Sequence, residues 1–175
     1  GNAALFGCSD FRIATKTSWI GMAGPAMIEG GGLGVFEPTD IGPVSVHQKN
    51  GVVDYVADNE EEAALIAKKL LSYFQGSIED FSVCDQKILQ SVMPEDRRYT
   101  YEVRDIINTI ADEDSFLELR KKYGESIATG FIRIAGKPFA LLASDCQKLG
   151  GAIDSESAEK AADFISICNC LLYTS

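Results

Sequence analysis

The sequence predicts an α/β fold, and three observations carry that prediction. Strand-like runs of β-branched and aromatic residues alternate with amphipathic helix-like runs along most of the chain. A polar stretch at 93–102, containing Met93-Pro-Glu-Asp-Arg-Arg98, interrupts the alternation, which then resumes, so two parts joined by a linker are expected. With 46% hydrophobic and 24% charged residues over 175 positions, the chain has the composition of one that buries a core.

Residues 1–9 are small and apolar and predict a short opening helix. Asp10 to Thr15 and Thr17 to Met22 read as two strands. They lead into the least regular stretch, Gly21-Met-Ala-Gly-Pro-Ala-Met-Ile-Glu-Gly-Gly-Gly-Leu-Gly34. Pro25 suits the first turn of a short helix continuing to Glu29, and Gly30-Gly31-Gly32 end it. Because glycine allows close backbone approach, this stretch is expected to lie against a ligand. Glu37 to Pro43 is a turn-rich connector. Val44 to Gln48 and Gly51 to Val56 flank Asn50-Gly51, the strongest short hairpin or turn signal in the chain.

The clearest helix follows. Asp58 or Asn59 caps it, Glu61 or Glu62 completes a capping box, and Ala63, Ile66, Ala67, Leu70 and Phe74 form its apolar face. The pattern weakens from Ser77 to Tyr101, with a short helix expected at 84–90. Val103, Ile106, Ile107 and Ile110 define another amphipathic helix, and Phe116 to Leu119 a short strand. Two strands, 126–135 and 138–144, surround a turn at Gly136-Lys137. A last helix begins at Asp154 or Ser155, with Ala158, Ala161, Ile165 and Cys168 on its inner face.

The net charge of −10 argues against a nucleic-acid partner, which needs a basic face. Arg12 with Lys16, Arg97-Arg98 and Lys121-Lys122 are the candidates for a local phosphate-binding patch, against solvated surface as the plainer reading. Five cysteines, odd in number and irregularly spaced, predict a reduced, cytoplasmic protein. No apolar run approaches membrane-spanning length. The absence of an initiator Met and the abrupt last residues lead to the expectation of a piece of a longer protein.

Most catalytic constellations are missing. The single histidine, His47, sits beside a strand-turn and reads as structural or exposed. The glycine stretch matches neither G-x-G-x-x-G nor a P-loop. Glu60-Glu61-Glu62 suits a helix start, and Asp112, Glu113 and Asp114 read as a solvated turn. No metal site is expected. What remains is stabilisation of an oxyanion by backbone N–H groups. The sequence permits it at Gly1-Asn2-Ala3, at the Gly21 to Pro25 bend and at the Gly150-Gly151-Ala152 turn, although tight turns explain those glycines as well.

The run Gly1-Asn-Ala-Ala-Leu-Phe-Gly-Cys-Ser-Asp10, then Gly24-Pro-Ala-Met-Ile-Glu-Gly-Gly-Gly-Leu-Gly34, resembles the carboxyltransferase component of biotin-dependent acyl-CoA carboxylases. Ile41-Gly-Pro-Val, Asn50-Gly-Val-Val-Asp54, Tyr101-Glu-Val-Arg-Asp-Ile-Ile107, Gly130-Phe-Ile-Arg-Ile-Ala-Gly136 and Gly150-Gly-Ala-Ile-Asp154 continue it. Only Leu171 to Ser175 depart from the family. The resemblance implies a crotonase-like ββα superhelix in two homologous domains. Residues 1–92 would be the later half of the first, acyl-CoA-binding domain, 93–102 the linker, and 103–175 the opening half of the second, biotin-side domain.

The implied reaction moves a carboxyl group from carboxybiotin to the α-carbon of an acyl-CoA. Carboxybiotin releases CO₂, the biotin enolate takes the α-proton, and the thioester enolate attacks CO₂. By the same resemblance, Gly1, Asn2 and Ala3 supply backbone oxyanion donors, and Gly21, Met22, Ala23, Gly24 and Pro25 line the acyl-CoA pocket. Gly150, Gly151 and Ala152 form a second-domain turn, the second oxyanion motif lying beyond residue 175. Where relatives often have Gly-Gly-Ala, this chain has Gly-Asn-Ala. The implied partners are a biotin carrier, a biotin carboxylase component and further copies of the protein. Two alternatives stay open: another crotonase-type CoA-thioester enzyme such as a decarboxylase, or a non-catalytic assembly piece.

Overall fold

The structure, a computed structural model, describes residues 2–92, 94, 96 and 99–172. The chain forms two compact units, Gly1–Ala67 and Lys68–Ser175. Part of the 93–102 stretch, including Arg97 and Arg98, lies outside the described residues.

In the first unit, helix α1 (Asn2–Gly7) precedes strand β1 (Ile13–Thr15), which pairs in parallel with β2 (Tyr55–Ala57). Ala14, Val44 and Val53 form the core, with Phe6, Ile20 and Val56 packed against them. Arg12 donates from its backbone N (2.7 Å) and from Nε (3.0 Å) to the buried Asp54 carboxylate, tying the entry of β1 to that of β2. Helix α2 (Pro25–Gly30) and the single turn α3 (Val44–His47) lie between the strands.

Two strand expectations fail here. Thr17 to Met22 contributes only an isolated bridge, Trp19 with Pro43. Val44 to Gln48 is helical: Pro43 O accepts from Val46 N (3.0 Å) and His47 N (3.4 Å), closing a turn after a proline fixed at φ −62°. The Val-Ser-Val alternation mimics a strand, but β2 finds its partner in distant β1, and local propensity yields to that pairing. The Asn50-Gly51 turn does exist, with Gly51 at φ 76°, and it joins a helix to a strand. The next helix, α4 (Glu60–Ser72), is capped as expected: Asn59 Oδ1 accepts from Glu62 N at 2.9 Å.

The second unit is built on the antiparallel meander β3 (Leu117–Leu119), β4 (Ile127–Ile134) and β5 (Lys137–Ser144). Strand β4 is central and buried on both faces. Ala128 and Ile132 pack against Val103, Ile107 and Ala111, which belong to or follow helix α6 (Val103–Ile110). On the opposite face, as a two-residue period requires, Phe131 meets the rings of Tyr73, Phe74 and Phe164 at 5.5, 5.3 and 5.4 Å. In the weak region before α6, Gln86–Ile88 is a 3₁₀ turn and Leu89–Val92 a single helical turn, α5.

Three details depart from expectation. Ile134 pairs with Lys137, so the hairpin turns on Ala135 (φ 51°) and Gly136 (φ 74°) rather than on Gly136-Lys137. Asp112 is not solvated: it is 4% exposed, and its carboxylate accepts from the amides of Ala135 (2.9 Å) and Gly136 (2.7 Å). The last helix, α7 (Ser155–Leu172), buries Ser157, Lys160, Phe164 and Cys168, while Ala158 is exposed and Ile165 is 59% exposed. Its inner face is partly polar because Ser157 bonds Ser126 (2.6 Å) and Lys160 Nζ donates to the Ile127 carbonyl (2.7 Å). A count of apolar residues places Cys168 correctly but misses Ser157 and Lys160 and puts Ala158 and Ile165 inside.

Candidate substrate-binding site

The Gly21 to Pro25 segment enters from a residue, Ile20, whose N–H and C=O are both held. Ile20 N donates to Gly42 O at 2.7 Å, and Ile20 O sits 2.7 Å from His47 Nε2. A carbonyl can only accept, so the imidazole proton is on Nε2; Nδ1 then accepts from Asn50 Nδ2 at 3.5 Å. Gly42 adopts φ 65°, and a Cβ there would lie 2.2 Å from Ile20 O. Only glycine allows this approach. His47 is therefore a structural ring of the segment, as one of its two sequence readings has it; the carbonyl it holds is what the sequence does not reveal.

Beyond that anchor the segment opens outward. Met22 is 73% exposed and Gly24 is exposed. Gly24 caps α2 with φ −91° and ψ 171°, and its carbonyl accepts from Met27 N (3.0 Å) and Ile28 N (3.2 Å). A Cβ on Gly24 would meet nothing within 4 Å. Neither its backbone angle nor its neighbours in the chain call for glycine there. Gly31 and Gly32, by contrast, act locally, because their amides donate to Met27 O (3.0 Å) and Glu29 O (2.9 Å) and so end α2.

Asn2 and Ala3 stand in the first turn of α1, where amides have no partner within the helix. Gly1 lies outside the described residues. Gly150, Gly151 and Ala152 belong to the second unit and form a tight turn with Leu149, Gly150 and Gly151 at positive φ. There Gly151 N donates to Lys148 O (2.8 Å) and Ala152 N to Leu149 O (3.1 Å), so both amides are engaged in closing the turn.

The basic residues singled out by sequence are partly committed. Arg12 is bound to Asp54, and Lys16 pairs with Asp58. Lys121 and Lys122 remain exposed. In the second unit, Arg104 joins Glu102, Glu118 and Asp145 at 3.1, 2.6 and 2.7 Å, and these hydrogen bonds, above all that to Glu118, hold its proton more tightly than usual. Burial pushes Lys160 down to about 8 and the Cys168 thiol up to about 11, which makes Cys168 a poor nucleophile. Among the described residues, no cluster of three or more His, Cys, Asp and Glu is arranged to hold a metal ion.

Residues 1–172 match the carboxyl transferase domain family. The chain belongs to that family. It is 35% identical over 132 residues to the biotin-dependent acetyl-/propionyl-coenzyme A carboxylase beta6 subunit of Mycobacterium bovis, covering 73% of this chain and 28% of that protein. A solved single-chain, multi-domain long-chain acyl-CoA carboxylase superposes with a TM-score of 0.93 at 49% identity, over 96% of this chain and 17% of that one. The hexameric transcarboxylase 12S, solved with hydrolysed methylmalonyl-coenzyme A bound, superposes with a TM-score of 0.78 at 28% identity, over 93% and 34%. These neighbours bear out the crotonase-like α/β fold expected from the resemblance. The chain spans about a quarter to a third of the length of the curated relatives it matches. Among the described residues, no helix is long and apolar enough to cross a membrane.

Proposed function

We propose that this chain is part of a longer cytoplasmic, biotin-dependent carboxyltransferase that acts on an acyl-CoA. In this reading residues 1–92 are the later half of the first domain, 93–102 the linker, and 103–175 the opening half of the second. Carboxybiotin, delivered on a carrier domain and loaded by a biotin carboxylase component, supplies the carboxyl group. Gly21 to Pro25 form a wall against the CoA thioester, and the backbone amides at Gly1, Asn2 and Ala3 face the thioester oxygen. Further copies of the protein complete the assembly.

One observation carries the site most directly. Gly24 has an unstrained backbone and open space where a Cβ would stand, so its small size leaves room for an occupant from outside the chain. Calorimetric titration of the full-length protein with propionyl-CoA tests it. Gly24→Ala should leave the melting temperature unchanged, and Gly24→Val should weaken binding at least tenfold with the oligomer intact. Equal binding by wild type and Gly24→Val would remove the pocket from this position.

A second reading, of a surface that mainly contacts other subunits, is favoured by Met22, Met27, Leu33 and Val35, each more than 70% exposed. The same titration separates the two, because an assembly surface predicts a changed oligomer with unchanged propionyl-CoA affinity.

A further inference from the structure

We infer that His47 is a positioning residue for the acyl-CoA wall, acting through the Ile20–Gly21 peptide. The inference rests on the pocket reading of Gly21 to Pro25 and adds to it the part that holds the wall in place.

The geometry is a clamp on one residue, Ile20, gripped at the N–H that precedes it and at the C=O that follows. Gly42 O receives the Ile20 amide at 2.7 Å, and the His47 imidazole donates Nε2–H to the Ile20 carbonyl at 2.7 Å. The clamp is anchored at its rear: Val53 N donates to His47 O (3.2 Å), and Asn50 Nδ2 approaches His47 Nδ1 (3.5 Å). Val44, which begins the same helical turn, is buried in the core beside Ala14 and Val53. The ring is thus seated by the core at one end and grips the start of the wall at the other.

What it grips has few other constraints. Met22 and Gly24 are exposed, and α2, which follows, has no buried residue. A segment with so little packing takes its position from its hydrogen bonds, and the last one before Gly21 is the bond to His47. Removing that donor leaves a half-buried carbonyl without it and lets the following peptides shift. Shifts below an ångström are enough to weaken a site that works by positioning.

The test uses the full-length enzyme with His47→Phe, which keeps a ring but no donor, and His47→Gln, whose Nε2 can still reach the carbonyl. Steady-state kinetics with propionyl-CoA should show the KM of His47→Phe raised about tenfold, equivalent to about 1.4 kcal/mol, with kcat within about twofold. His47→Gln should recover most of that loss. Equal defects in both variants, a fall in kcat alone, or a His47→Phe protein that no longer folds would each overturn the inference. The two layers also fail separately. If Gly24→Val binds propionyl-CoA normally, the pocket reading is wrong. If Gly24→Val binds poorly while His47→Phe is normal, the pocket stands and the clamp does not.

Discussion

Lys160 offers a quantitative test of how the second unit is held together. Lys160 is 1% exposed, and its ammonium donates to two backbone carbonyls, Ile127 O at 2.7 Å and Gly124 O at 3.4 Å. Burial is the largest influence and drives its pKa from 10.5 down to about 8; Glu118 and Glu125 pull it up, while Arg104 and Arg120 push it further down. A lysine with a lower pKa folded than unfolded binds fewer protons in the native state between those two values. Stability therefore rises with pH through that window. Integrated from pH 7 to 9.5, the rise from this one group is about 2 kcal/mol. Tyr73 and Tyr123, both pushed up to about 12, act in the opposite sense, but chiefly above pH 10. The assay is urea denaturation followed by far-ultraviolet circular dichroism, comparing wild type with Lys160→Met at each pH so that other titrations cancel. Between pH 7 and 9.5 the stability of wild type relative to Lys160→Met should rise by about 2 kcal/mol, because only wild type carries this titration. A difference that stays flat with pH would refute a buried, charged Lys160.

Other substitutions probe the turns and the buried polar groups. Gly136→Ala should cost more than about 3 kcal/mol in the same denaturation assay, because φ is 74° and the new Cβ would fall 2.0 Å from Ile78 O. Asp112→Asn should cost about 2 kcal/mol, since an amide NH₂ would face one of the Ala135 and Gly136 donors. Arg133→Met should cost about 3 kcal/mol: the guanidinium donates to Gly76 O, Gly136 O and Ser72 O at 3.0, 2.7 and 2.7 Å and lies 5.3 Å from the Tyr73 ring centre. Finally, the purified 175-residue chain should show no carboxybiotin-dependent transfer to propionyl-CoA, because the proposed second oxyanion site lies outside it.

The sequence made some of this legible and hid the rest for physical reasons. Helices α4 and α6 carry their own evidence, an Asn59 cap and an isoleucine face, so local pattern located both, although Ile110 of that face is exposed and Thr109 is buried in its stead. The β4–β5 hairpin was visible because it is local and β4 is rich in β-branched residues, although its turn fell one residue earlier than Gly136-Lys137. Val44 to His47 misled because a strand and a single helical turn share the same four residues of pattern, and a distant parallel partner chose between them. Ser157 and Lys160 were invisible as inner-face residues: their burial depends on Ser126 and on two carbonyls that no periodicity reveals. Asp112 was hidden likewise, since the amides that its carboxylate accepts from lie more than twenty residues onward.

The glycines show where sequence reading of the site stops. Gly42, Gly136 and Gly24 are the same letter, yet each is glycine on different terms. Gly42 makes room for the Ile20 carbonyl that His47 then grips, and Gly136 makes room for Ile78 while closing a hairpin. Gly24 makes room for nothing in its own chain. The first two are explained by the fold, and a Cβ there should be read out as lost stability. For the third no close contact or positive φ requires glycine, so the Cβ should be read out in binding. That division, a stability cost at Gly42 and Gly136 against a binding cost at Gly24, supports the proposal that acyl-CoA lies at the open end of α2. It also predicts that Gly42→Ala, with its Cβ 2.2 Å from Ile20 O, damages both melting temperature and propionyl-CoA affinity, because it displaces the peptide that anchors the wall. Loss of stability with untouched affinity in the molecules that remain folded would break the link between the clamp and the site.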